Sequence, residues 1–341
     1  MDDLAVQNLI DTLPSAILIV DRQRILRRRN AAAVGYFGPG GVGQNLVALV
    51  RTPVVLNAFD QVLKNRSGQE FQIDLSVPVT TSFRVKIAPM DMNADLICIA
   101  FEDISHILEA QQMRNEFVAN VSHELRSPLT AVTGFIETLQ GAARDDPEAR
   151  AHFLEVMNGE TQRMGRLISD LLSLSRLQGS DRVDPDSVIE LREILEHVVK
   201  LMHSQALLND NELVFRMDED TVYVSGDQDQ LIQIFQNLIE NAIKYGRFGK
   251  PVEIDVSQSG TRYVTIMVSD HGEGISQSDI PRLTERFYRV DKGRSRDQGG
   301  TGLGLAIVKH IVKRHRGQLN VISKLGEGSS FSVILPTMPR P

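Results

Sequence analysis

Three folding units follow one another along the sequence: a mixed α+β unit over residues 4–104, a helical hairpin over 105–179 that pairs with a second copy as a four-helix bundle, and an α/β sandwich over 187–338. Three observations predict this multi-domain architecture. Short alternations of apolar and polar residues, broken by glycine and proline, fill the first third. Apolar residues at three- and four-residue steps then run to about Gly179. Beyond Ser187, helices and strands alternate over the length of one ordinary domain.

In the first unit, Ala16-Ile17-Leu18-Ile19-Val20 is a buried-strand run, and Asp21 suits a turn into the next strand. Phe71, Ile73, Leu75 and Val77 alternate with polar residues, as do Phe83, Val85 and Ile87, and Leu96 to Phe101 supply a more apolar strand. Gly68, Pro78, Pro89 and Asn93-Ala94-Asp95 mark the breaks. The expectation is a meandering antiparallel sheet with short helices between its second and third strands. Cys98 falls inside an apolar strand run, which suits a core residue better than a redox sensor. Arg22, Arg24, Arg27, Arg28 and Arg29 form a basic cluster, readable as a solvated strand edge or as a contact for an anionic surface.

The middle unit has a bundle rhythm. Met113, Phe117, Val121 and Leu125 form one seam, and Phe153, Val156, Met157, Met164, Leu167, Ile168, Leu171, Leu172 and Leu174 another. Between them Ala143 to Glu148 is a turn, with Pro147 placed to open the second helix. A lone hairpin exposes too much apolar surface, so a homodimer follows. In the third unit, helices are expected over Leu191–Met202, from Asp227 as N-cap to Tyr245, and from Leu303. Strands are expected at Leu213–Phe215, Val222–Val224, Val252–Val256, Val264–Val268, Leu319–Ile322 and Ser330–Leu335.

Composition narrows the function classes. With 42% apolar and 24% charged residues, a packed core is expected and global disorder is not. The 37 basic against 44 acidic side chains, net −7, argue against direct nucleic-acid binding. A single cysteine excludes a disulfide within the chain and fits a reducing compartment. No run approaches the ~18 apolar residues of a membrane-spanning helix, and the acidic start lacks a signal-peptide layout. The expectation is a cytoplasmic protein, with any membrane association made through a partner.

Four constellations carry chemistry. Phe117 to Thr130 puts His123, Glu124 and Ser127 on the first bundle helix. A neutral imidazole is a competent nucleophile, an adjacent carboxylate can hold its tautomer or take its proton, and Ser127 lies one turn along the same face. Pro128 cannot donate to the Glu124 carbonyl, which predicts a kink just past the histidine. On the helix opened by Asp227, Leu231, Ile234, Phe235, Leu238 and Ala242 form the apolar stripe, while Asn237, Asn241 and Lys244 share another face. Amide oxygens at that spacing suit a hydrated Mg²⁺, and the lysine suits phosphate. Asp270-His271-Gly272-Glu273-Gly274 follows a strand, where a carboxylate can accept from an exocyclic amine such as adenine's. Gly299-Gly300-Thr301-Gly302-Leu303-Gly304 runs into a helix whose N-terminal amides make a phosphate cradle. Between the last two, Arg286, Arg289, Lys292, Arg294 and Arg296 suit a mobile segment over a triphosphate. Each constellation alone also fits an ordinary surface histidine, a solvated helix face, tight glycine turns or a charged loop.

Taken in this order and spacing, the four resemble the bacterial sensor histidine kinases of two-component systems. Ser122 to Thr130 resembles that family's phospho-accepting H box, Asn237 to Tyr245 its N box, Asp270 to Gly274 its G1 box, Arg286-Phe287-Tyr288-Arg289 its F box and Gly300 to Gly304 its G2 box. The resemblance implies a GHKL-type ATP-binding sandwich beside a dimeric bundle, with ATP and Mg²⁺ as cofactors. His123 would be phosphorylated, Glu124 would be its acid/base partner, and Ser127, where many relatives carry threonine or asparagine, would orient water for dephosphorylating the regulator. Asn237 and Asn241 would hold Mg²⁺ and phosphate, Lys244 phosphate, Tyr245 the base and Asp270 the adenine amine. Gly272, Gly274, Phe287, Arg289, Gly300, Gly302, Leu303 and Gly304 would complete the nucleotide site.

The partners implied are a second copy and a cognate response regulator, whose aspartate would receive the phosphoryl group. Leu13 to Asp21 and the three later strands resemble a PAS sensor domain. Gly134 to Gly141, Asp145 to Ala149 and Asp170 to Leu177 are similar to the phosphate-regulon sensor kinases, which would make phosphate supply the signal and a membrane transport complex or its accessory protein a further partner. A kinase for another signal, a nucleotide-binding scaffold or phosphatase without net kinase activity, and a GHKL ATPase or serine kinase are the rivals.

Overall fold

The computed structural model describes residues 3–76, 79–90, 95–179, 187–217, 221–259, 262–290 and 300–339. The chain divides into two compact units, Met1–Val118 and Ala119–Pro341. Val77, Pro78, Asn93 and Ala94, used above as strand and break positions, lie outside the described residues.

The first unit is built on a five-stranded antiparallel sheet of order β2-β1-β5-β4-β3. Its strands are β1 (Ala16–Asp21), β2 (Leu26–Arg29), β3 (Gln69–Ser76), β4 (Thr80–Pro89) and β5 (Leu96–Asp103). Helices α2 (Ala31–Phe37), α3 (Leu46–Leu49) and α4 (Pro53–Asn65) intervene between the second and third strands, as expected, and α1 (Asp3–Asp11) precedes them. The unbroken apolar run of β1 has a physical cause: the strand is covered on both faces. Ala16, Leu18 and Val20 join Phe59, Phe83 and Phe101 in the core, while Ile17 and Ile19 lie under Ile10 of α1. Asn30 holds this corner. Its amide oxygen accepts from Ile17 N (2.8 Å) and caps α2 at Ala33 N (3.0 Å), and its Nδ2 donates to the carbonyls of Ile10, Leu13 and Ser15.

The arginine cluster is internally paired, which favours the strand-edge reading. Arg24 meets Asp60 (2.5 Å), Arg27 meets Asp21 (2.6 Å), Arg22 meets Asp95 (2.9 Å) and Arg29 donates to the Gly38 carbonyl (2.7 Å). Burial acts to raise the Asp21 carboxyl, but hydrogen bonds from Ile25 N and Arg27 outweigh it and hold the group low. Cys98 packs beside Ile17 and Ile19 with Leu96 and Ala100, and burial pushes its thiol up, as for a core cysteine.

Helix α5 (Ser105–Gln140) starts at a tight junction in the first unit. Ser105 N donates to Asp103 Oδ1 (2.9 Å), Ser105 Oγ accepts from Ser82 N (3.0 Å), and the Tyr36 hydroxyl donates to Asp103 Oδ2 (2.9 Å). In the second unit α5 turns back into α6 (Pro147–Gly179). Asp146 caps α6 by accepting from Glu148 N and Ala149 N (both 3.0 Å), with Pro147 at the first helical position as predicted. Phe135 stacks on Phe153 (5.2 Å between centroids), joining the two helices. The seam read from the sequence divides in two. Leu167 and Leu174 are buried within this chain, whereas Met113, Ile168 and Leu172 stand exposed, as do Leu129, Ile136 and Leu154, which the seam did not include.

The remaining sheet has the order β6-β8-β12-β10-β9-β7, with β11 paired to β12. These strands are β6 (Ser187–Glu190), β7 (Leu213–Met217), β8 (Tyr223–Gly226), β9 (Val252–Ser259), β10 (Tyr263–Asp270), β11 (Gln318–Lys324) and β12 (Gly328–Met338). Among the described residues only β7 and β9 pair in parallel; the other ladders are antiparallel. Helices α7 (Leu191–Leu208), α8 (Gln228–Tyr245) and α9 (Gly304–Arg314) lie together on one layer, with α8 over β10. Val222 lies just before β8 rather than in it, and its carbonyl accepts from Leu191 N at the start of α7 (2.9 Å). β6 and the 3₁₀ turn Ile280–Arg282 had no counterpart in the sequence reading, being too short for a periodic signal.

Candidate functional site

The nucleotide side of the site is organised by α8. Asp227 caps it, accepting from Gln230 N (3.1 Å), and the stripe Leu231, Ile234, Phe235, Leu238 and Ala242 is buried as the spacing predicts. Asn237 is turned by a bond from its Nδ2 to the Gln233 carbonyl (2.8 Å), and its amide oxygen faces the N-terminus of α9. A Cβ built on Gly304 would stand 2.7 Å from that oxygen, so a side chain at 304 would push the Asn237 amide out of this position. Asn241 lies one turn further along, half-buried, and the Lys244 ammonium sits over the Tyr245 ring at 4.8 Å.

Asp270 ends β10 and is 7% exposed. Burial raises its carboxyl above the ordinary aspartate value, against hydrogen bonds from the backbone of Gly272 and Ser329. Gly272 N donates to Oδ1 at 2.8 Å. The neighbouring glycines are required by contact. A Cβ on Gly272 would lie 2.0 Å from the Tyr245 carbonyl, and Gly274, at φ +72°, would set one 2.1 Å from the Lys324 carbonyl. The G1-like turn is thus pressed against both the end of α8 and the end of β11.

Phe287 and Gly302 bring the F-like and G2-like segments together: Phe287 N donates to the Gly302 carbonyl (2.8 Å), and both residues have positive φ (63° and 71°). Leu303 is fully buried beneath the turn, and Gly300 is half-buried beside it. The Tyr288 hydroxyl donates to Asp279 (2.7 Å), with the Arg282 guanidinium over its ring. Lys292, Arg294, Arg296 and Gly299 lie outside the described residues.

On the hairpin, His123 and Ser127 are exposed and Glu124 is half-buried on α5. The helix continues through Pro128, and the Ser127 hydroxyl donates back to the His123 carbonyl (3.2 Å). Glu124 is engaged from two sides. Its Oε2 accepts from Arg163 Nη2 of α6 (3.0 Å) and from Arg289 Nη2 (3.1 Å). Arg289 is therefore placed on the hairpin carboxylate here, its side chain only 6% exposed. Burial lowers its guanidinium's pKa, opposed by the Glu124 charge.

Sequence reasoning gave no role to Arg163, which joins α6 to α5 through Glu124, nor to Asp170 of α6 and Thr301, which join hairpin and sandwich, Thr301 Oγ1 donating to Asp170 Oδ2 (2.7 Å). One further bond runs between Ser173 Oγ and Gln233 Oε1 (3.0 Å). Arg163, Leu167, Asp170 and Leu174 recur at steps of four, three and four, the signal that would have found this face.

The arrangement collects amide oxygens, an ammonium and a glycine turn at a helix N-terminus on one side, and a buried carboxylate beside glycines on the other. That set suits a polyphosphate with a divalent cation at one end and an amine-bearing base at the other. Among the described residues no three His, Cys, Asp or Glu side chains cluster as a metal site.

Comparison with known proteins agrees with this chemistry. Residues 226–339 match the family described as histidine kinase-, DNA gyrase B- and HSP90-like ATPase, and residues 113–180 match the His Kinase A (phospho-acceptor) domain. A Sensor protein kinase WalK of Staphylococcus saprophyticus is 32% identical over 338 residues, 97% of this chain and 55% of the relative. One from Staphylococcus aureus is 32% identical over 339 residues, 97% of this chain and 80% of the relative. The chain thus spans about half the length of the first relative. Among solved structures, histidine kinase ThkA in complex with the response regulator TrrA covers 99% of this chain and 99% of its own, with a TM-score of 0.55 at 20% identity, a likeness of fold.

Proposed function

Because the chain belongs to the two-component sensor histidine kinases, we propose that it phosphorylates His123 from ATP and passes the phosphoryl group to an aspartate of a response regulator. The observation that supports this reading is the meeting of the Asn237 amide oxygen with the N-terminus of α9 at Gly304, which brings the N-like face against the glycine turn. The His123-Glu124 pair on the attached hairpin supplies a nucleophile.

In the proposed step a neutral His123 ring nitrogen attacks the γ-phosphorus in line. A nitrogen–phosphorus bond forms, the bond from phosphorus to the bridging oxygen breaks, and ADP leaves with the electron pair. The imidazole proton passes to Glu124 once that carboxylate is released from its arginines. Asn241 and Lys244 orient the phosphates, Asp270 accepts the adenine amine, and Tyr245 packs near the base. Asn237 and Asn241 would hold Mg²⁺, which neutralises charge on the transferring group. A regulator aspartate then attacks phosphorus and histidine leaves. Ser127 serves the reverse duty, orienting water against the phosphorylated regulator after leaving the His123 carbonyl.

The domain division 4–104, 105–179 and 187–338 belongs to the same proposal. A PAS-like sensor reading is supported by the antiparallel sheet with helices between its second and third strands. A homodimer is supported by the exposed Leu129, Leu154, Ile168 and Leu172 of the hairpin. No helix among the described residues is long and apolar enough to cross a membrane. Two signals have support. Phosphate supply, with a transport complex as partner, rests on the three hairpin runs, while identity across 97% of the chain favours a WalK-like role. Transcriptional response of a deletion strain to phosphate limitation separates them.

The test of the activity is incubation with γ-labelled ATP and Mg²⁺. Acid-labile, base-stable label that disappears in His123→Ala is expected; label surviving that substitution overturns the assignment.

A further inference from the structure

Both ends of the segment between Tyr288 and Gly302 are tied to the hairpin, each by a different helix. Arg289 reaches Glu124 on α5, and Thr301 reaches Asp170 on α6. The second tie is the more informative, because Asp170 belongs to none of the nucleotide or phospho-acceptor motifs. Thr301 Oγ1 donates to Asp170 (2.7 Å) while accepting from Leu303 N (3.3 Å), so one hydroxyl joins α6 to the turn at the N-terminus of α9. On the same face of α6, Leu167 and Leu174 are each 2% exposed. This is an apolar strip with one carboxylate at its centre, closed over by the sandwich.

The posture so held engages Glu124 with the sandwich. Glu124 Oε2 is shared by the guanidiniums of Arg163 and Arg289, so the oxygen that would face the His123 proton is already taken up by two other donors. Resting on the kinase reading above, we propose that Asp170 is a positioning residue which, through Thr301, holds the nucleotide-binding sandwich on α6 in a posture that keeps Glu124 occupied and so restrains autophosphorylation. The Asp170 carboxylate is half-buried, with the charge of Glu240 near it and that of Arg166 partly offsetting it. The tie is therefore a hydrogen bond from a neutral hydroxyl rather than an ion pair, and an amide can replace the carboxylate in it.

Two measurements on the full chain test this. In the first, nucleotide affinity and the autophosphorylation rate at saturating ATP are compared for wild type, Asp170→Ala and Asp170→Asn. Asp170→Ala is expected to raise the rate at least threefold with affinity unchanged within twofold. Asp170→Asn, which keeps an acceptor for Thr301, is expected to return the rate to wild type. An unchanged or lowered rate in Asp170→Ala overturns the proposal, as does an asparagine variant that behaves like alanine. In the second, spin labels on cysteines at exposed Ser169 and Asp229 are read in a Cys98→Ser background, the labelled chain diluted with unlabelled chain. A narrow distance that broadens in Asp170→Ala and narrows again in Asp170→Asn supports the tie; a distance indifferent to Asp170→Ala refutes it. Wild type without label on His123 defeats the kinase reading, while the distances still decide whether Asp170 holds the sandwich.

Discussion

His315 is the residue whose replacement is best worked out from the structure. It ends α9, 4% exposed, and bridges to the start of α8: Nδ1 faces the Ile311 carbonyl at 2.8 Å and Nε2 accepts from Asp227 N at 3.1 Å. Both bonds form together only in the neutral ring with its proton on Nδ1. His315→Ala strands the Asp227 N–H at a cost of about 1–3 kcal/mol, and the lost bond to Ile311 adds about 1 kcal/mol. The Ile311 carbonyl keeps the His315 backbone N–H at 3.0 Å, so it is not stranded. The vacated ring volume adds about 1 kcal/mol. A total near 4 kcal/mol corresponds to about 10 °C in a unit of this size. The assay is calorimetry of the full chain, following the transition that added ADP raises. His315→Gln, which retains an acceptor, is expected to recover about half of the loss. Burial lowers the His315 pKa, so protonation favours the unfolded chain. This contribution to stability is present above the ordinary value of 6.5 and is lost as the pH falls through the lower folded value. The wild-type transition should therefore drop more steeply below 6.5 than that of His315→Gln. An alanine variant within about 2 °C of wild type would refute the strut, given the per-kcal scale above.

The other expectations are simpler. Asp270→Ala removes both the Gly272 partner and the proposed amine acceptor, so ATP should bind at least about tenfold more weakly by titration calorimetry, about 1.4 kcal/mol; undiminished affinity would move the base elsewhere. Gly274→Ala should destabilise the nucleotide-responsive transition by well over 1 kcal/mol, because its positive φ and the Lys324 carbonyl both exclude a Cβ. Gly159→Ala, mid-helix with nothing within 4 Å of the new methyl, should instead stabilise by about 0.5–1 kcal/mol, and equal effects of the two would defeat the packing argument. Tyr36→Phe deletes the hydroxyl bond to Asp103 at the start of α5, and urea unfolding of the first unit should shift by about 1 kcal/mol; no shift would mean that solvent replaces that bond freely.

What could be read from the sequence is what local chemistry and period dictate. The alternation around Ile73 and Val85, the three- and four-residue steps through the hairpin, Asp227 as a cap and Pro147 as a first helical residue all act within a turn or a strand, so they appear without knowledge of the fold. The motif residues were legible for the same reason, each being a residue type at a short spacing. What tertiary structure decided is which groups face one another across long separations. Gly328 had to lack a side chain because a Cβ there would stand 2.0 Å from the Asp270 carbonyl, and at Gly304 a Cβ would displace the Asn237 amide that approaches from another helix. Leu167 and Leu172 read alike as seam residues, yet one is buried under this chain and the other is left exposed. Arg289 read as a phosphate contact and lies on Glu124, 165 residues away in sequence, while Asp170 read only as the start of a hairpin run similar to one kinase subfamily and meets Thr301 across 131. Such pairings carry no period and no local composition; they come from helices and strands brought together by burial of their apolar faces, and only the packed chain contains them.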